Sequence, residues 1–572
     1  MIGINEQSDY SVPAEAAKIF RDEILRDPRM SRHLPLHLEK HVSKIQITGK
    51  KEPTMPVNWR FAEATAALHA LEAVLLCDLL EKKYQSQAPR ITIDTEHAQL
   101  NSCSLFLWTI DPEGEAPLKA TLQPSKLKKY LIDQDPYGRA NTPYRGAATN
   151  IYRCSDGRYF QTHGSFNPSP VLDLLSMPHN ADVSSASDAW TKFEESTTQI
   201  SSTDLLRTTA QAGQAGHICN TVEEYENSEQ GKATSHVGLF EIHHLPNPEQ
   251  KPTWWPEATG TSVSRPLAGL KVVDMTRVIA APSITRGLAE LGASIMRVAG
   301  PEVPDFTGLH IDLNWGKWNS HVDVKTEHGR AQLRELIADA DVVVNGYRPG
   351  TLDKYGFSQE DVLALAKGRG RGIIYVKENC YGWYGPDKMR IGWQPTSDAC
   401  TGVSHGYGKA LGLADDEPVV SLFPNSDYST GLTGVSAILS ALIKRADQGG
   451  SYVVELALNY FNRWLTQSCG QYPDHVWGPL WESYGRFQFR ANNPMEVSGP
   501  FVLNLMSEKN NSFKDEYFIT RRSGVLGVDI RCLKPILEFP DGEVNLTYNV
   551  GTRGNGIDKP YWPRDLLTEV VA

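Results

Sequence analysis

The sequence predicts an α/β fold: a doubly wound parallel sheet with a smaller α+β domain beside it. Beyond residue 266, short β-branched runs alternate with helix-like segments, the pattern of strands joined by crossover helices. Before it lie one long apolar helix and a hairpin signal. Between the two, LPNPEQKPTWWPEATGTSVSRP carries five prolines among small polar residues, which disfavour regular structure.

In order along the chain, Phe61–Tyr84 places Leu68, Leu71, Leu75 and Leu79 at helical spacing and predicts a helix with one apolar face. RITID follows as a strand. In IYRCSDGRYFQTHG, Asp156-Gly157 between two alternating runs predicts a hairpin. The second half reads LKVVDMT, ASIMRV, HVDVK, DVVVNG and GIIYVK as strands, with ITRGLAELG and EHGRAQLRELIADA as helices. Sheets of this kind bind ligands beyond the carboxyl ends of their strands, so the loops after VVDM, MRV, VVN and IYV are expected to line the site. The last 90 or so residues show no strong periodicity and are expected to be extended or irregular, packing on both other parts. The predicted divisions are 1–244, a 245–265 linker, 266–480 and 481–572.

Helix, polar turn and strand occur twice, in EATAALHALEAVLLCDLLEKKYQSQAPRITIDTEH and in DYSTGLTGVSAILSALIKRADQGGSYVVELAL, which suggests a partial internal duplication. Setting Ile438 against Val74 places Asp427 opposite Glu63.

With 572 residues the chain exceeds one ordinary core. Its net charge of −11 argues against a nucleic-acid partner, which requires a broad basic surface. Eight scattered cysteines without a CxxC pair read as reduced thiols. The start lacks a basic-then-apolar leader and no run reaches a membrane span, so a cytoplasmic protein is expected. No Walker loop, GxGxxG, HExxH or GxSxG motif is present, and the adjacent His243 and His244 read as a surface turn; no metal is expected.

RPLAGLKVVDMTRVIAAPSITRGLAELGASIMRVAGPEVPD, from Arg265, resembles the opening of the class III CoA-transferases, the family of formyl-CoA and carnitine CoA-transferases and α-methylacyl-CoA racemase. The resemblance continues through NWGKWNSHVDV, ADVVVNGYRPGTLDKYGFS, YGWYGP and NSDYSTGLTG. The first 265 residues look like that family's latter half, which implies one and a half units fused in a chain with a Rossmann-like CoA-transferase domain. Either a homodimer or an intramolecular pseudo-dimer follows from this.

The resemblance implies a chemistry. The aspartate matching Asp427 attacks an acyl-CoA thioester to give a mixed anhydride, so CoA moves between an acyl-CoA and a small organic acid. No permanent cofactor is implied, since CoA is a substrate. By position alone Asp427 could equally cap a helix. Phosphates and adenine need basic groups and an aromatic near strand ends, and Arg277, Arg297, Lys317, Tyr347 and Arg348 are the candidates.

This chain departs from the family pattern at Gly346, where Asn is usual, at Trp315, where Arg is frequent, and at Gly392-Trp393-Gln394, where Gly, an aromatic or His, then Asp is common. The racemase branch places its second base there, and Trp393 cannot move a proton. His405 in SHGYG is the alternative base, as a loop histidine. The family's glycine run over the acyl intermediate has no equivalent, which leaves water exclusion unaccounted for. Racemase-like α-proton chemistry and a non-catalytic CoA-binding scaffold are therefore the competing readings.

Overall fold

The computed structural model describes residues 10–510 and 512–572. The first nine residues, on which part of the leader expectation rests, lie outside them.

A seven-stranded sheet forms the centre: β1 (Glu241–Leu245), β2 (Lys271–Met275), β3 (Ser294–Ala299), β4 (Lys317–His321), β5 (Val342–Asn345), β6 (Ile374–Asn379) and β7 (Ser451–Ala457). Its spatial order is β4-β3-β2-β5-β6-β7-β1, parallel except for β1, which runs antiparallel to β7. The direction of winding reverses between β2 and β5, which opens a crevice at their carboxyl ends. Helices cover both faces, so the strands are buried on both sides and read as near-continuous apolar runs.

Three helices matter most for the site. α1 (Phe61–Tyr84), α2 (Ala280–Glu290) and α4 (Asn425–Gln448) pack together on one face of the sheet. The other two labelled helices are α3 (Gln394–Thr401) and α5 (Leu458–Trp464). α1 is buried all round from Phe61 to Leu80, rather than along one face. Alanines at 62, 64, 66, 67, 70 and 73 fill the sides between its leucines, so every face meets protein. Its buried acids are matched: Tyr10 and Tyr472 donate to Glu63 at 2.6 and 2.9 Å, and His69 lies 3.0 Å from Glu72.

Several expectations are corrected. The third strand of the second half is KWNSH, and only His321 of HVDVK belongs to it. Val322 and Val324 mimic strand alternation, but Asp323 ends the strand in a turn and accepts from Thr326 Oγ1. Met495–Asn510, expected to be extended, is a helix despite Pro500. The presumed linker boundary falls at the end of β1, so this N-terminal-side strand belongs to the large sheet. His243 and His244 sit on that strand, not in a turn, and point to opposite faces: His243 towards Glu455 at 3.5 Å, His244 stacked on Tyr452.

The hairpin forms as Ile151–Arg153 against Tyr159–His163, with Gly157 at φ +81°, and Ala215–Ile218 adds a third strand. Thr109–Ile110 pairs with the C-terminal Val528–Leu533, so the N-terminal half and the C-terminal region share a sheet. Seven of the eight free cysteines are buried. Among the described residues no helix is long and apolar enough to cross a membrane.

Candidate active site

Asp427 stands in the first turn of α4 as its third residue, with Pro424 in the capping position, so the side chain is inside the helix rather than capping it. It is 8% exposed, and no described residue hydrogen-bonds or ion-pairs with its carboxylate. Burial, then the carboxylates of Glu378 and Asp398, push its pKa well above the usual value.

The turn is held rigidly. Tyr428, the next residue, donates to Asp312 Oδ2 at 2.6 Å, and Arg286 of α2 and Ser104 reach the same oxygen at 2.7 and 2.9 Å. The Tyr428 ring packs with Leu105, Ile279, Leu309 and Leu313. Residues 99–106 of the N-terminal half thus pack on the turn. Val278, in the β2–α2 loop packed on this cluster, has φ +71°, a costly conformation for a β-branched residue.

Asp398, on α3, accepts from Gln394, Ser421, Ser426 and Asn462. Burial raises its pKa to about 6, and those donors oppose the rise. Glu378, near the end of β6, is 9% exposed and pushed up to about 8 by burial. Sequence reasoning missed both: each is one acid among 68, and only the fold brings β6, α3 and α4 together.

Of the five predicted CoA contacts, three gather at the switch point. Arg277, after β2, lies over the rings of Phe166 and Tyr347 at 4.5 and 5.2 Å, and donates to Pro304 O. Arg348 beside it is exposed, and partial burial and then the Arg277 charge lower its pKa. Two neighbouring cations, one of them over two aromatic faces, with no carboxylate paired to either among the described residues, suit a phosphorylated, ring-bearing ligand.

Arg297 and Lys317 are used internally instead. Arg297 is 2% exposed and bonds Asp305 at 2.6 Å and Thr276 O at 3.2 Å. Lys317 is fully buried, with its ammonium 3.1 Å from Asp274 and 2.9 Å from Pro282 O. Both point into the sheet's own packing because their strands are central or tightly covered.

The departures from the family pattern have structural reasons. A Cβ at Gly346 would come within 2.8 Å of Ala281 Cβ, so the close approach of α2 leaves no room for a side chain. Trp315 is buried and stacks on Tyr548 of the C-terminal segment, 5.8 Å between centroids. Trp393 stacks on His163 at 5.1 Å and donates to Ser165 Oγ at 3.0 Å, tying the site to the hairpin sheet. Burial, and then Arg139, lower the His163 pKa to about 3, so this imidazole is neutral. His405 lies on helix Val403–Ala410, not a loop, 3.3 Å from the exposed Asp416.

The comparisons with known proteins identify the family. The family model described as CoA-transferase family III matches residues 267–486. An acetyl-coenzyme A transferase of Hypoxylon pulicicidum is 43% identical over 582 residues, spanning 99% of this chain and 96% of its own. An acyl-CoA transferase of Gibberella moniliformis is 30% identical, spanning 95% and 94%. The succinyl-CoA:glutarate CoA-transferase of Homo sapiens is 32% identical over 34% of this chain and 45% of its own. A CAIB/BAIF family protein from Brucella suis, solved by crystallography, is 26% identical, covers 44% of this chain and 80% of its own, and gives a TM-score of 0.31. Two relatives match this chain nearly end to end, with its N-terminal half in the same place, and the chain therefore belongs to CoA-transferase family III and is a transferase enzyme.

Proposed function

We propose that this enzyme moves CoA between an acyl-CoA and a small organic acid, with Asp427 as the nucleophile. The observation that carries this reading is an unpartnered carboxylate, 8% exposed, in the rigid first turn of α4. A carboxylate shielded from water and held by no donor keeps its nucleophilicity when ionised. An Asp427 oxygen bonds the thioester carbon, the carbon–sulfur bond breaks, and an aspartyl-acyl mixed anhydride remains while CoA departs. Arg277, Tyr347 and Arg348 are proposed to hold the CoA phosphates and adenine at the crevice where the sheet reverses, a strand order shared with nucleotide-binding doubly wound folds.

The names of the two long relatives make acetyl-CoA, and then other acyl-CoAs, the donors to test first. Glu63 and Asp427 are each the third residue of a 24-residue helix followed by a strand, which supports reading the chain as a partly internalised pseudo-dimer. Glu63, closed off by two tyrosines, is proposed to have no catalytic part.

The test is intact-protein mass spectrometry of wild type and Asp427→Ala with a panel of acyl-CoAs, trapping the acyl-enzyme with hydroxylamine. An adduct at Asp427 in wild type, with transfer lowered about 10⁴-fold or more in the variant, is the expected outcome. Exchange of label at the α-carbon without acyl transfer would instead indicate racemase chemistry. CoA binding with neither would indicate a scaffold.

A further inference from the structure

Two buried carboxylates lie in this site without a partner, and the proposed nucleophile accounts for one. Side chains alternate faces along a strand, so Glu378 shares a face of β6 with Ile374 and Val376, which pack in the core that includes α4. It sits at the carboxyl end of β6, where the first turn of α4 brings Asp427 into electrostatic contact with it. No described residue hydrogen-bonds or ion-pairs with the Glu378 carboxyl. Cys380 and Asp398 are the other titratable groups acting on the same space, and Asp398 is satisfied by its four donors. Lys377, the neighbouring cation, points to the opposite face and pairs with Glu455 at 2.8 Å.

Two carboxylates closed off from water, with no cation between them, do not both ionise; one keeps a proton. A nucleophile must be ionised to react, so the retained proton belongs on its neighbour.

We propose that Glu378 is the acid of this site, holding the proton that leaves Asp427 a free carboxylate and passing it to the sulfur of the departing CoA. The proposal rests on Asp427 being the nucleophile. As the Asp427 oxygen bonds the carbonyl carbon, the electron pair of the breaking carbon–sulfur bond goes to sulfur, and the Glu378 proton follows it. The products are the anhydride, the CoA thiol and the Glu378 carboxylate. One negative charge is present before the step and one after, so the buried site never holds two. In the return step Glu378 takes the proton back as the CoA sulfur attacks. Burial raises both carboxyls, Asp427 further through the charges of Glu378 and Asp398, so the pair holds a proton near pH 7, and the need for an ionised nucleophile assigns it to Glu378.

The experiment is single-turnover formation of the acyl-enzyme in the full-length wild type and Glu378→Gln, followed by mass spectrometry from pH 6 to 9.5 with the acyl-CoA panel. Wild type is expected to slow as the pH rises through about 8. Glu378→Gln is expected to form the same Asp427 adduct about 10²–10⁴-fold more slowly, without that alkaline fall. A thermal melt of the variant at pH 6 checks that it folds, and Glu378→Asp, which retains the acid, is expected to recover part of the rate and the alkaline fall. A variant as fast as wild type overturns the proposal, as does a slow variant that keeps the alkaline fall, since a positioning role would leave the limb in place. Those outcomes leave the Asp427 adduct standing. Transfer by wild type without any Asp427 adduct would sink the nucleophile reading, and this proposal with it.

Discussion

Glu378 and Lys317 show how one buried charge differs from another. Glu378 has no partner, so its ionisation is opposed by the fold: in the unfolded chain it ionises near pH 4.5, and in the folded chain only near 8. The stability it contributes as a neutral group is complete below the unfolded pKa and is lost as the pH rises through the folded one. Glu378→Gln is therefore expected to match wild type at pH 4 and to exceed it by up to about 5 kcal/mol above pH 8, read by urea melts at both ends. Lys317 is the reverse case, paired and hydrogen-bonded. Lys317→Met leaves Asp274 buried without its cation, held only by the hydroxyls of Thr276 and Thr285, at a cost of about 3–5 kcal/mol of stability. Arg348→Ala, at an exposed position, is expected to leave the melting temperature unchanged while weakening CoA binding about tenfold, as one charged contact predicts. Calorimetry of CoA binding beside thermal melts separates the two, and equal effects on both would contradict the placement of these side chains.

The helices decide where Asp427 stands. α2 and α4 approach closely because glycines face the contact: a Cβ at Gly431 would lie 2.5 Å from Ser283 Cβ, and one at Gly434 2.6 Å from Ile284 Cγ1. Gly431→Ala is expected to push α4 away from α2, destabilise the protein by about 1–3 kcal/mol and lower turnover even though Asp427 is intact. Steady-state kinetics with a urea titration would test this, and an unchanged kcat would show that the first turn tolerates the shift. The helix periodicity in the sequence located α1 and α4 but not this contact. Small residues read as weak helix formers until the partner helix is present.

At the scale of the molecule, the two halves are joined by more than the chain between them. β1 extends the sheet from the N-terminal side, residues 99–106 pack on the active turn, and the C-terminal hairpin pairs with Thr109–Ile110. The connection from 246 to 261 has no regular structure apart from an isolated bridge beginning at Ser262, and much of it is exposed. Limited proteolysis there is expected to yield two fragments that co-elute on gel filtration and keep their activity. Separation of the fragments under native conditions would show that the interface between them is weaker than its burial implies.

The sequence by itself determined most strands of the sheet, though not β1 or the bounds of β4, together with the long helices, the hairpin, the resemblance that led to the family, and Asp427 as a candidate. Those features depend on local periodicity and contiguous motifs, which a chain displays without folding. The tertiary structure decided which cations remain free at the crevice and which are used inside it, why Gly346 and Trp315 stand where they do, and that Glu378 and Asp398 surround Asp427. These depend on side chains more than a hundred residues apart or on opposite faces of one strand, and on burial, which sets the charge of an acid only once its neighbours have closed around it.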